Sequence, residues 1–314
     1  MLAASQWLAY AAGMTDEAND ERDLTDRKFY RAEQEAGFAE AAPTDTPQTR
    51  HPAYRLAFRD IDFLLREELR PVRFQLELLK PEMLLEEAGV GSTLVMYGSA
   101  RIPPPESVDL ALEEAAKLPE SEALVVRNLA KKAKYYGEAY KLARLVSEKS
   151  IVEHGQRQFV ICSGGGPSIM EAANRGASDA GAESIGLNII LPHEQAPNPY
   201  VTPYLSLNFH YFALRKMHFL LRARAVAVFP GGFGTFDEFF ELLTLIQTGK
   251  MKPIPILLFG HEFWNRVIDF EALCEEGTIS QKDLDLFRWC ETAEEAWQHI
   301  ADFYKIRSQE APEF

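Results

Sequence analysis

The chain has 314 residues, 46% of them hydrophobic, so it is long enough to bury one large core. Its formal net charge of −14 argues against a nucleic-acid partner, because proteins that bind nucleic acids carry basic patches. No apolar run approaches the roughly 18 residues of a membrane-spanning helix, so we expect no membrane partner. The first residues carry no Lys or Arg, which predicts no secretory signal. Three widely spaced cysteines form neither a disulfide framework nor a metal motif and fit a reducing cytoplasm.

The N-terminal part is predicted to be an extension that precedes the main domain. Residues 1–50 are rich in acidic residues and alanine and end in a Pro/Thr-rich stretch, which leaves a flexible segment and an intersubunit arm as alternatives. Helical periodicity appears over 54–79, where Pro71 starts a second segment, and a short helical piece follows. We therefore predict an extension over residues 1–90, its helices packed outside a main domain of residues 91–307.

The main domain begins with a short apolar strand over 94–97, which ends in a turn of small residues at 98–100. Open parallel sheets bind ligands at the carboxyl ends of their strands, so this turn is a candidate contact. For the next residue, Arg101, a phosphate contact and a solvated side chain fit equally well. Residues 102–126 resemble an insertion with a short helix, and no role follows from their sequence.

A second glycine-rich junction follows a helix predicted over 128–149 and a strand predicted over 159–162. Three glycines at 164–166 separate that strand from a helix over 168–175, with Pro167 expected in the first helical turn. Doubly wound folds often have such turns for packing alone, so three glycines by themselves do not establish a ligand site.

Strands are also predicted over 185–191 and 205–209, and a helix over 210–222 follows them. This helix carries Arg215 and Lys216, and from the helix alone Arg215 fits a solvated surface charge better than a ligand contact. The histidines show no metal-ligand spacing, so we expect no metal ion. Those considered are His193, His210, His218 and His261.

The third glycine-rich junction joins an apolar strand over 225–229 to the segment PGGFGTFDEFFE at 230–241 and its helix. Glycines lack Cβ atoms, so the chain can turn sharply there and a ligand can approach the backbone. Free N–H groups and the positive end of the helix dipole then face an anion. Thr235 and Glu238 also match the T-x-x-E capping box, so capping and chemistry are equally good roles for Glu238 from this segment alone.

The remaining elements complete an alternating pattern. They are a strand over 254–259, a helix over 263–274, a helical segment over 279–287, a strand over 288–290 and a helix over 292–304. The pattern Thr292-x-x-Glu295 is a capping box at the start of the last helix. Strands and helices alternate from residue 93 onward, which predicts an α/β fold with a parallel sheet and helices on both faces.

The glycine-rich motifs resemble those of the LOG family, the cytokinin-activating "Lonely guy" phosphoribohydrolases. The bacterial relatives in this family are nucleoside 5′-monophosphate nucleosidases, many of them labelled lysine decarboxylases. PGGFGTFDE is similar to the family signature PGG-x-GT-x-x-E, and the turn Gly98-Ser99 resembles a family turn that contacts the nucleotide. GGGPSIMEAANRGA matches the family's GGGPGIMEAANRGA except at Ser168, and serine suits the start of a helix.

Arg215-Lys216 falls where the family has the last two residues of its M-H-E-R-K motif, fifteen residues before Pro230. The segment 212–214 departs from the Met-His-Glu of that motif, so a plant-like substrate preference does not follow. The resemblance covers roughly residues 93–305.

The resemblance implies a Rossmann-like doubly wound parallel sheet and a hydrolase. Its substrate would be a nucleoside 5′-monophosphate, AMP-like or a cytokinin riboside monophosphate, split at the N-glycosidic bond into free base and ribose 5-phosphate. Glu238 would stabilise positive charge on the ribose and polarise water, and Arg215 would bind the phosphate or ribose hydroxyls and orient Glu238. Residues 231–235 would hold the phosphate, with the base near Ser99 and Met170. The implied substrate-binding residues are Gly98, Ser99, Gly164, Gly165, Gly166, Met170, Glu171, Lys216, Gly231, Gly232, Gly234 and Thr235.

This mechanism needs no cofactor, and the resemblance implies a homodimer or a higher homo-oligomer. One alternative is a non-catalytic protein of the same fold that binds a nucleotide or molybdenum cofactor; it predicts loss of the Arg215 and Glu238 pair, and both residues are present. A pyridoxal-phosphate decarboxylase would need a lysine for the Schiff base and an acidic partner. No lysine lies in a recognisable motif of that kind, so we reject this interpretation.

Overall fold

The structure is a computed structural model that describes residues 29–41, 45–192 and 196–306. The first 28 residues of the predicted extension and His193 therefore lie outside the described residues. The chain divides into two compact units, one that ends at Arg70 and one that begins at Pro71.

The described part of the first unit is built from short helical segments. These are α1 (Ala32–Ala41), α2 (Pro47–Arg50) and α3 (Ile61–Leu64), with 3₁₀ turns at Pro52–Tyr54, Ala57–Arg59 and Glu67–Leu69. Side chains cap two of the helices, since Thr46 accepts from the Thr49 N–H and Asp60 from the Phe63 N–H. The sequence predicts two amphipathic helices over 54–79 and a separate short helical piece after them, up to residue 88. The first of these helices is wrong, because short 3₁₀ turns and α3 occupy that range. The second is α4 (Arg70–Glu87). The separate piece is also wrong, because it continues the second helix.

The second unit contains a seven-stranded sheet. Its strands are β1 (Thr93–Tyr97), β4 (Val160–Ser163), β5 (Ser184–Ile189), β6 (Ser206–Phe209), β7 (Ala223–Val228), β8 (Ile256–Phe259) and β9 (Arg288–Cys290), and a separate hairpin pairs β2 (Val152–Glu153) with β3 (Gln156–Arg157). All neighbours in the seven-stranded sheet are parallel, in the order β6-β5-β4-β1-β7-β8-β9. From β1 the chain adds β4, β5 and β6 on one side of that strand. It then returns to the centre and adds β7, β8 and β9 on the other side.

Helices connect the strands. They are α5 (Val108–Ala115), α6 (Glu120–Ala130), α7 (Ala133–Glu148), α8 (Ile169–Asp179), α9 (Phe212–Leu221), α10 (Phe233–Gln247), α11 (His261–Val267), α12 (Phe270–Glu275) and α13 (Ala293–Tyr304), with 3₁₀ turns at Pro105–Ser107, Pro203–Leu205 and Gln281–Leu286. The capping box predicted for the last helix is confirmed, since Thr292 accepts from the Glu295 N–H. No helix among the described residues is both long and apolar enough to cross a membrane.

The sheet separates two hydrophobic cores. Alternate residues of a strand point to opposite faces, so Val95 and Tyr97 pack into one core while Leu94 and Met96 pack into the other. Side chains of α4, α9, α10, α11 and α12 cover the first face, and those of α7, α8 and α13 cover the second. The predicted α/β fold with a doubly wound parallel sheet is confirmed.

Two long helices predicted from the sequence are each divided in two. The helix expected over 128–149 is interrupted by a turn at Lys131 and Lys132, which separates α6 from α7. The helix expected over 263–274 breaks at Ile268, which is extended, and the Asp269 carboxylate then caps α12 by accepting from the Ala272 N–H at 2.9 Å. Apolar periodicity continues across both breaks, so it did not reveal them.

Candidate active site

A cavity of about 650 Å³ opens where the strand order changes direction. β1 lies at the centre of the sheet, and the chain continues to β4 on one side and to β7 on the other. The turns that follow these three strands all reach the cavity, through Gly98, Gly164 and Gly232 respectively. Ligands of open parallel sheets bind at such a switch point, and the volume lies within the range of small-molecule sites.

One wall of the cavity is the start of α10. Gly232 is its N-cap and is extended, and no side chain of the described residues caps this helix end. The N–H groups of the first turn therefore remain available for an anion, which the helix dipole also favours. Gly231 allows the tight turn, since a Cβ atom there would collide with the Thr235 side chain.

The capping box predicted for Thr235 and Glu238 is wrong. The helix begins at Phe233, so Thr235 already lies inside its first turn and is buried. Glu238 lies one further turn along the helix, where the backbone N–H groups are paired within the helix. Helix capping is therefore excluded as the role of Glu238.

Arg215 projects from α9 into the cavity and is fixed on several sides. Its Nε donates to the Leu187 carbonyl at 2.7 Å, and its guanidinium carbon lies 5.0 Å from the ring centroid of Phe219. A Cβ atom at position 164 would come within 2.6 Å of the arginine Nη2, so Gly164 makes room for the guanidinium. Helix, strand end and glycine turn thus hold this cation in one place.

Glu238 faces Arg215, with Oε1 3.4 Å from the arginine Nη1. The Glu238 side chain is only 14% exposed and that of Arg215 only 11%, so the pair is largely shielded from water. Burial raises the pKa of the Glu238 carboxyl to about 7, and the Arg215 charge opposes this shift. The negative charges of Asp237 and Glu241 contribute to the same rise, whereas Lys216 opposes it. A carboxyl group with this pKa can lose or accept a proton near neutral pH.

The 164–166 turn rests on a buried polar network. Ser163 accepts from the Gly165 N–H at 3.0 Å and donates to Asn174 at 2.7 Å. The Asn198 amide donates to the carbonyls of Gly165 and Gly166 at 3.1 and 3.0 Å. Buried networks of this kind fix backbone geometry because every group in them has a partner.

The start of α8 differs from the expected geometry. Pro167 precedes the helix, so its predicted place in the first turn is wrong, and Ser168 is the N-cap with φ +65° and ψ −124°. That conformation favours glycine, the residue of the family motif at this position. The Ser168 hydroxyl donates to the Ile102 carbonyl at 2.6 Å, a contact that a glycine lacks.

The turn after β1 approaches the turn after β7 directly. The Ser99 N–H donates to the Pro230 carbonyl at 3.1 Å, and the Ser99 hydroxyl accepts from the Arg101 N–H at 2.9 Å. Gly98 packs against Ile169, since a Cβ atom there would lie 2.6 Å from the isoleucine side chain. Arg101 itself lines the cavity and is exposed.

Most residues of the implied site meet at this cavity. Its lining includes Gly98, Ser99, Gly164, Met170, Arg215, Gly232, Gly234, Thr235 and Glu238. The other implied residues do not line it. Gly165 and Gly166 support the turn, Gly231 packs on Thr235, Glu171 accepts from the Tyr136 hydroxyl, and Lys216 pairs with Asp237 and Glu241 at 3.0 and 2.9 Å. The roles of all these residues remain predictions.

Sequence reasoning missed several aromatic residues of the cavity, among them Phe212 and Phe219. Their spacing from Arg215 is three and four residues, which places all three on one face of α9, so this spacing could have revealed them. Phe233, which is 96% exposed at the start of α10, also lines the cavity. Asn198 lies in a proline-rich loop, where no hydrophobic periodicity indicates its contact with the 164–166 turn.

Known proteins match this chain at modest similarity. The family model described as "Possible lysine decarboxylase" matches residues 170–300, which include both catalytic candidates. A pyrimidine/purine nucleotide 5′-monophosphate nucleosidase of Escherichia coli is 31% identical over 118 residues, which are 34% of this chain and 25% of that protein. A cytokinin riboside 5′-monophosphate phosphoribohydrolase of Arabidopsis thaliana is 26% identical over 153 residues, 48% of this chain and 67% of that protein.

The chain resembles the LOG family. The matches support this relationship at the level of the family, whose named relatives hydrolyse nucleotide monophosphates. The chain spans only a quarter of the length of the Escherichia coli relative, so the activity of a whole protein does not transfer directly. Among solved structures, the X-ray structure of TM1055, a structural genomics target, aligns with a TM-score of 0.41 at 20% identity, over 67% of this chain and 99% of that chain.

Proposed function

We propose that this protein hydrolyses the N-glycosidic bond of nucleoside 5′-monophosphates and releases free base and ribose 5-phosphate. The observation that carries the proposal is the buried pair of Arg215 and Glu238 beside an uncapped helix start in one cavity. The pair supplies groups for charge development at the sugar, and the helix start supplies a place for the phosphate. AMP-like nucleotides and cytokinin riboside monophosphates are the substrates that this proposal covers.

Glu238 would act on the ribose as the bond to the base breaks. An oxocarbenium-like transition state develops positive charge at the sugar, and a nearby carboxylate stabilises it and orients the attacking water. Arg215 lowers the pKa of Glu238 and so keeps more of it ionised near neutral pH. The fixed guanidinium would also hold the ribose hydroxyls or the phosphate.

The phosphate would bind at residues 231–235. The start of α9 also lies at the cavity, but the Glu77 carboxylate accepts from the N–H groups of His210 and Tyr211 there, at 3.0 and 3.1 Å. The Glu77 charge would repel a phosphate at that helix end, whereas the first turn of α10 contains no acidic residue. The base would then lie near Ser99 and Met170, and the apolar walls suit a planar ring.

Decarboxylation of lysine fits the cavity poorly. A Schiff base requires a lysine that reaches the cofactor, and none of the residues that line the cavity in the described part of the chain is a lysine. Lys216 follows the cavity residue Arg215 directly in sequence, but its ammonium group pairs with Asp237 and Glu241. The hydrolase proposal uses groups that do line the cavity.

We also propose a homodimer, or a larger homo-oligomer, in the cytoplasm. A stripe on α4 leaves four apolar side chains exposed at spacings of four, three and four residues, and this pattern suits helix packing between copies. The stripe consists of Val72, Leu76, Leu79 and Met83. All three cysteines are free, which agrees with a reducing compartment. Light scattering after size-exclusion chromatography would give the mass, and a monomer at all concentrations would contradict the assembly.

The test is chromatography of free bases after incubation with a panel of nucleoside 5′-monophosphates and their nucleosides. We expect base release from AMP or another monophosphate and very little from adenosine, because the nucleoside lacks the group that residues 231–235 would hold. Equal specificity constants for AMP and adenosine would contradict the phosphate assignment. Tight binding of nucleotides without release of any base would instead favour the non-catalytic alternative.

A further inference from the structure

Helix α4, which lies before the strands of the sheet, holds the start of α9. Tyr211 is the N-cap of α9, and no side chain within that segment caps the helix. The cap comes from Glu77 of α4, whose Oε1 accepts from the His210 N–H at 3.0 Å and whose Oε2 accepts from the Tyr211 N–H at 3.1 Å. Both carboxylate oxygens therefore hold the segment that leads into the helix.

The same two helices are joined along their length. The rings of Phe74 and Tyr211 stack with centroids 4.0 Å apart. His218 has a fully buried side chain, and its Nε2 lies 3.2 Å from the Glu77 carbonyl oxygen. Further along, the Glu82 carboxylate pairs with Arg222 at 3.1 Å. Helix α9 is thus fixed to α4 at its beginning, middle and end.

Arg215 lies between these contacts. Its backbone N–H donates to the Tyr211 carbonyl at 3.1 Å, so it belongs to the first turn of the helix that Glu77 caps. A shift or fraying of this turn would move the guanidinium away from the Leu187 carbonyl and from Glu238. Charge-assisted bonds from a carboxylate to helix N–H groups are strong enough to hold such a turn.

We propose that Glu77 is a positioning residue for the reaction, which acts by fixing the first turn of α9 and thereby the contact between Arg215 and Glu238. This inference rests on the proposed function for its kinetic consequences, and its structural consequence can be measured without any substrate. Glu77 lies before the range matched by the family model, so the match does not assign it a role.

The kinetic test compares Glu77→Gln with Glu87→Gln. Glutamine keeps the size of Glu77 but replaces one acceptor oxygen by an amide NH2 group and removes the charge, so the N–H of either His210 or Tyr211 loses its acceptor. Glu87 is exposed on the same helix and gives the matched control. We expect kcat/KM for the nucleotide to fall at least about tenfold in Glu77→Gln, within the roughly 10²-fold that a 1 Å misplacement can cost. The control should match the parent.

The pH profile separates positioning from a loss of folded protein. Arg215 lowers the pKa of Glu238, so a displaced guanidinium should move the acid limb of the profile to higher pH. Lys216 also lowers this pKa and lies on the same turn as Arg215, so its displacement would move the limb in the same direction. The other groups that act on Glu238 lie outside α9; they are Asp237 and Glu241 on α10, with Tyr97 and Cys162 facing it from the sheet. A lower folded fraction would reduce the rate and leave the pH of the limb unchanged.

Hydrogen exchange measured by mass spectrometry on the proteins without substrate tests the same contact independently. We expect faster exchange over residues 210–217 in Glu77→Gln and parent-like exchange in Glu87→Gln. If the parent releases no base from any nucleotide, the proposed function fails, and the exchange result alone decides whether Glu77 fixes α9. A Glu77→Gln protein with the exchange and pH profile of the control would overturn the inference.

Discussion

At the scale of single residues, the carboxyl of Glu238 is strongly altered by its surroundings. It is almost buried, its charge is opposed by burial and supported by Arg215, and it does not cap its helix. These conditions suit a carboxylate that stabilises a developing positive charge and has no role in capping its helix. The Glu238→Gln substitution removes that charge and keeps the size.

We expect Glu238→Gln to lower kcat for nucleotide hydrolysis by about 10²–10³-fold, as loss of one electrostatic stabiliser does. The variant should still bind AMP, because the start of α10 is unchanged, and titration calorimetry measures this. Asp237→Asn is the matched control, since it removes a neighbouring negative charge from an exposed side chain. It should retain turnover and shift the pH profile slightly lower. Normal turnover by Glu238→Gln would move the catalytic role to another residue.

The raised pKa of Glu238 also predicts a pH dependence. If the carboxylate is the active form, kcat should fall about tenfold per pH unit well below pH 7 and level off above it. Rates measured from pH 5 to 9 in a buffer series of constant ionic strength test this. A profile without an acid limb between pH 6 and 8 would contradict the assignment.

The same pKa has the opposite effect on stability. The folded carboxyl has its pKa raised from 4.5 to about 7, so its neutral form is favoured in the folded protein. Its contribution to stability is present below about pH 4.5 and is lost as the pH rises through 7, by at most about 3 kcal/mol. Glu238→Gln should therefore melt near the parent at pH 5 and above it at pH 8. Thermal unfolding at both values measures the difference, and a constant difference would contradict the raised pKa.

At the scale of elements, the start of α8 combines strain with a hydrogen bond. Ser168 adopts a positive φ that costs a non-glycine residue roughly 1–3 kcal/mol, while its hydroxyl bonds to Ile102. Ser168→Ala loses the bond and keeps the strain, whereas Ser168→Gly loses the bond and the strain. We expect the glycine variant to be more stable than the alanine variant by roughly 1–3 kcal/mol in urea unfolding. Equal stabilities would show that the turn is unstrained.

The strands and the three glycine turns were predictable because their signals are local. Short apolar runs bounded by glycines, such as those before Gly98 and Gly232, place a strand end within a few residues. The breaks at Lys132 and Ile268 were not predictable, since apolar residues continue on both sides. Contacts such as Glu77 with Tyr211 join residues 134 positions apart and leave no pattern in the sequence. The sequence therefore indicated the site, and its supporting contacts required the structure.

At the scale of the whole molecule, the boundary of the domain that contains the cavity differs between the sequence and the structure. The sequence predicts a boundary at residue 90, and the structure divides the chain at Arg70 instead of separating α4 from the sheet. Leu85 of α4 is buried in the core that also contains Val95, and Glu77 and Glu82 hold α9. A chain that starts after α4 would lack these contacts, although it would keep every motif residue.

Two truncations decide between the boundaries. Removal of residues 1–50 should leave turnover per folded protein unchanged, because the cavity lining begins at Met96 and α4 remains. Removal of residues 1–90 should lower the melting temperature and reduce turnover, because Leu85 no longer fills the core and α9 loses its cap. Circular dichroism melts and base release by both proteins provide the measurements. If the chain that begins at residue 91 is as stable and active as the parent, α4 is an accessory helix and the boundary lies at residue 90. If removal of residues 1–50 abolishes turnover in a folded protein, the N-terminal segment itself serves the reaction.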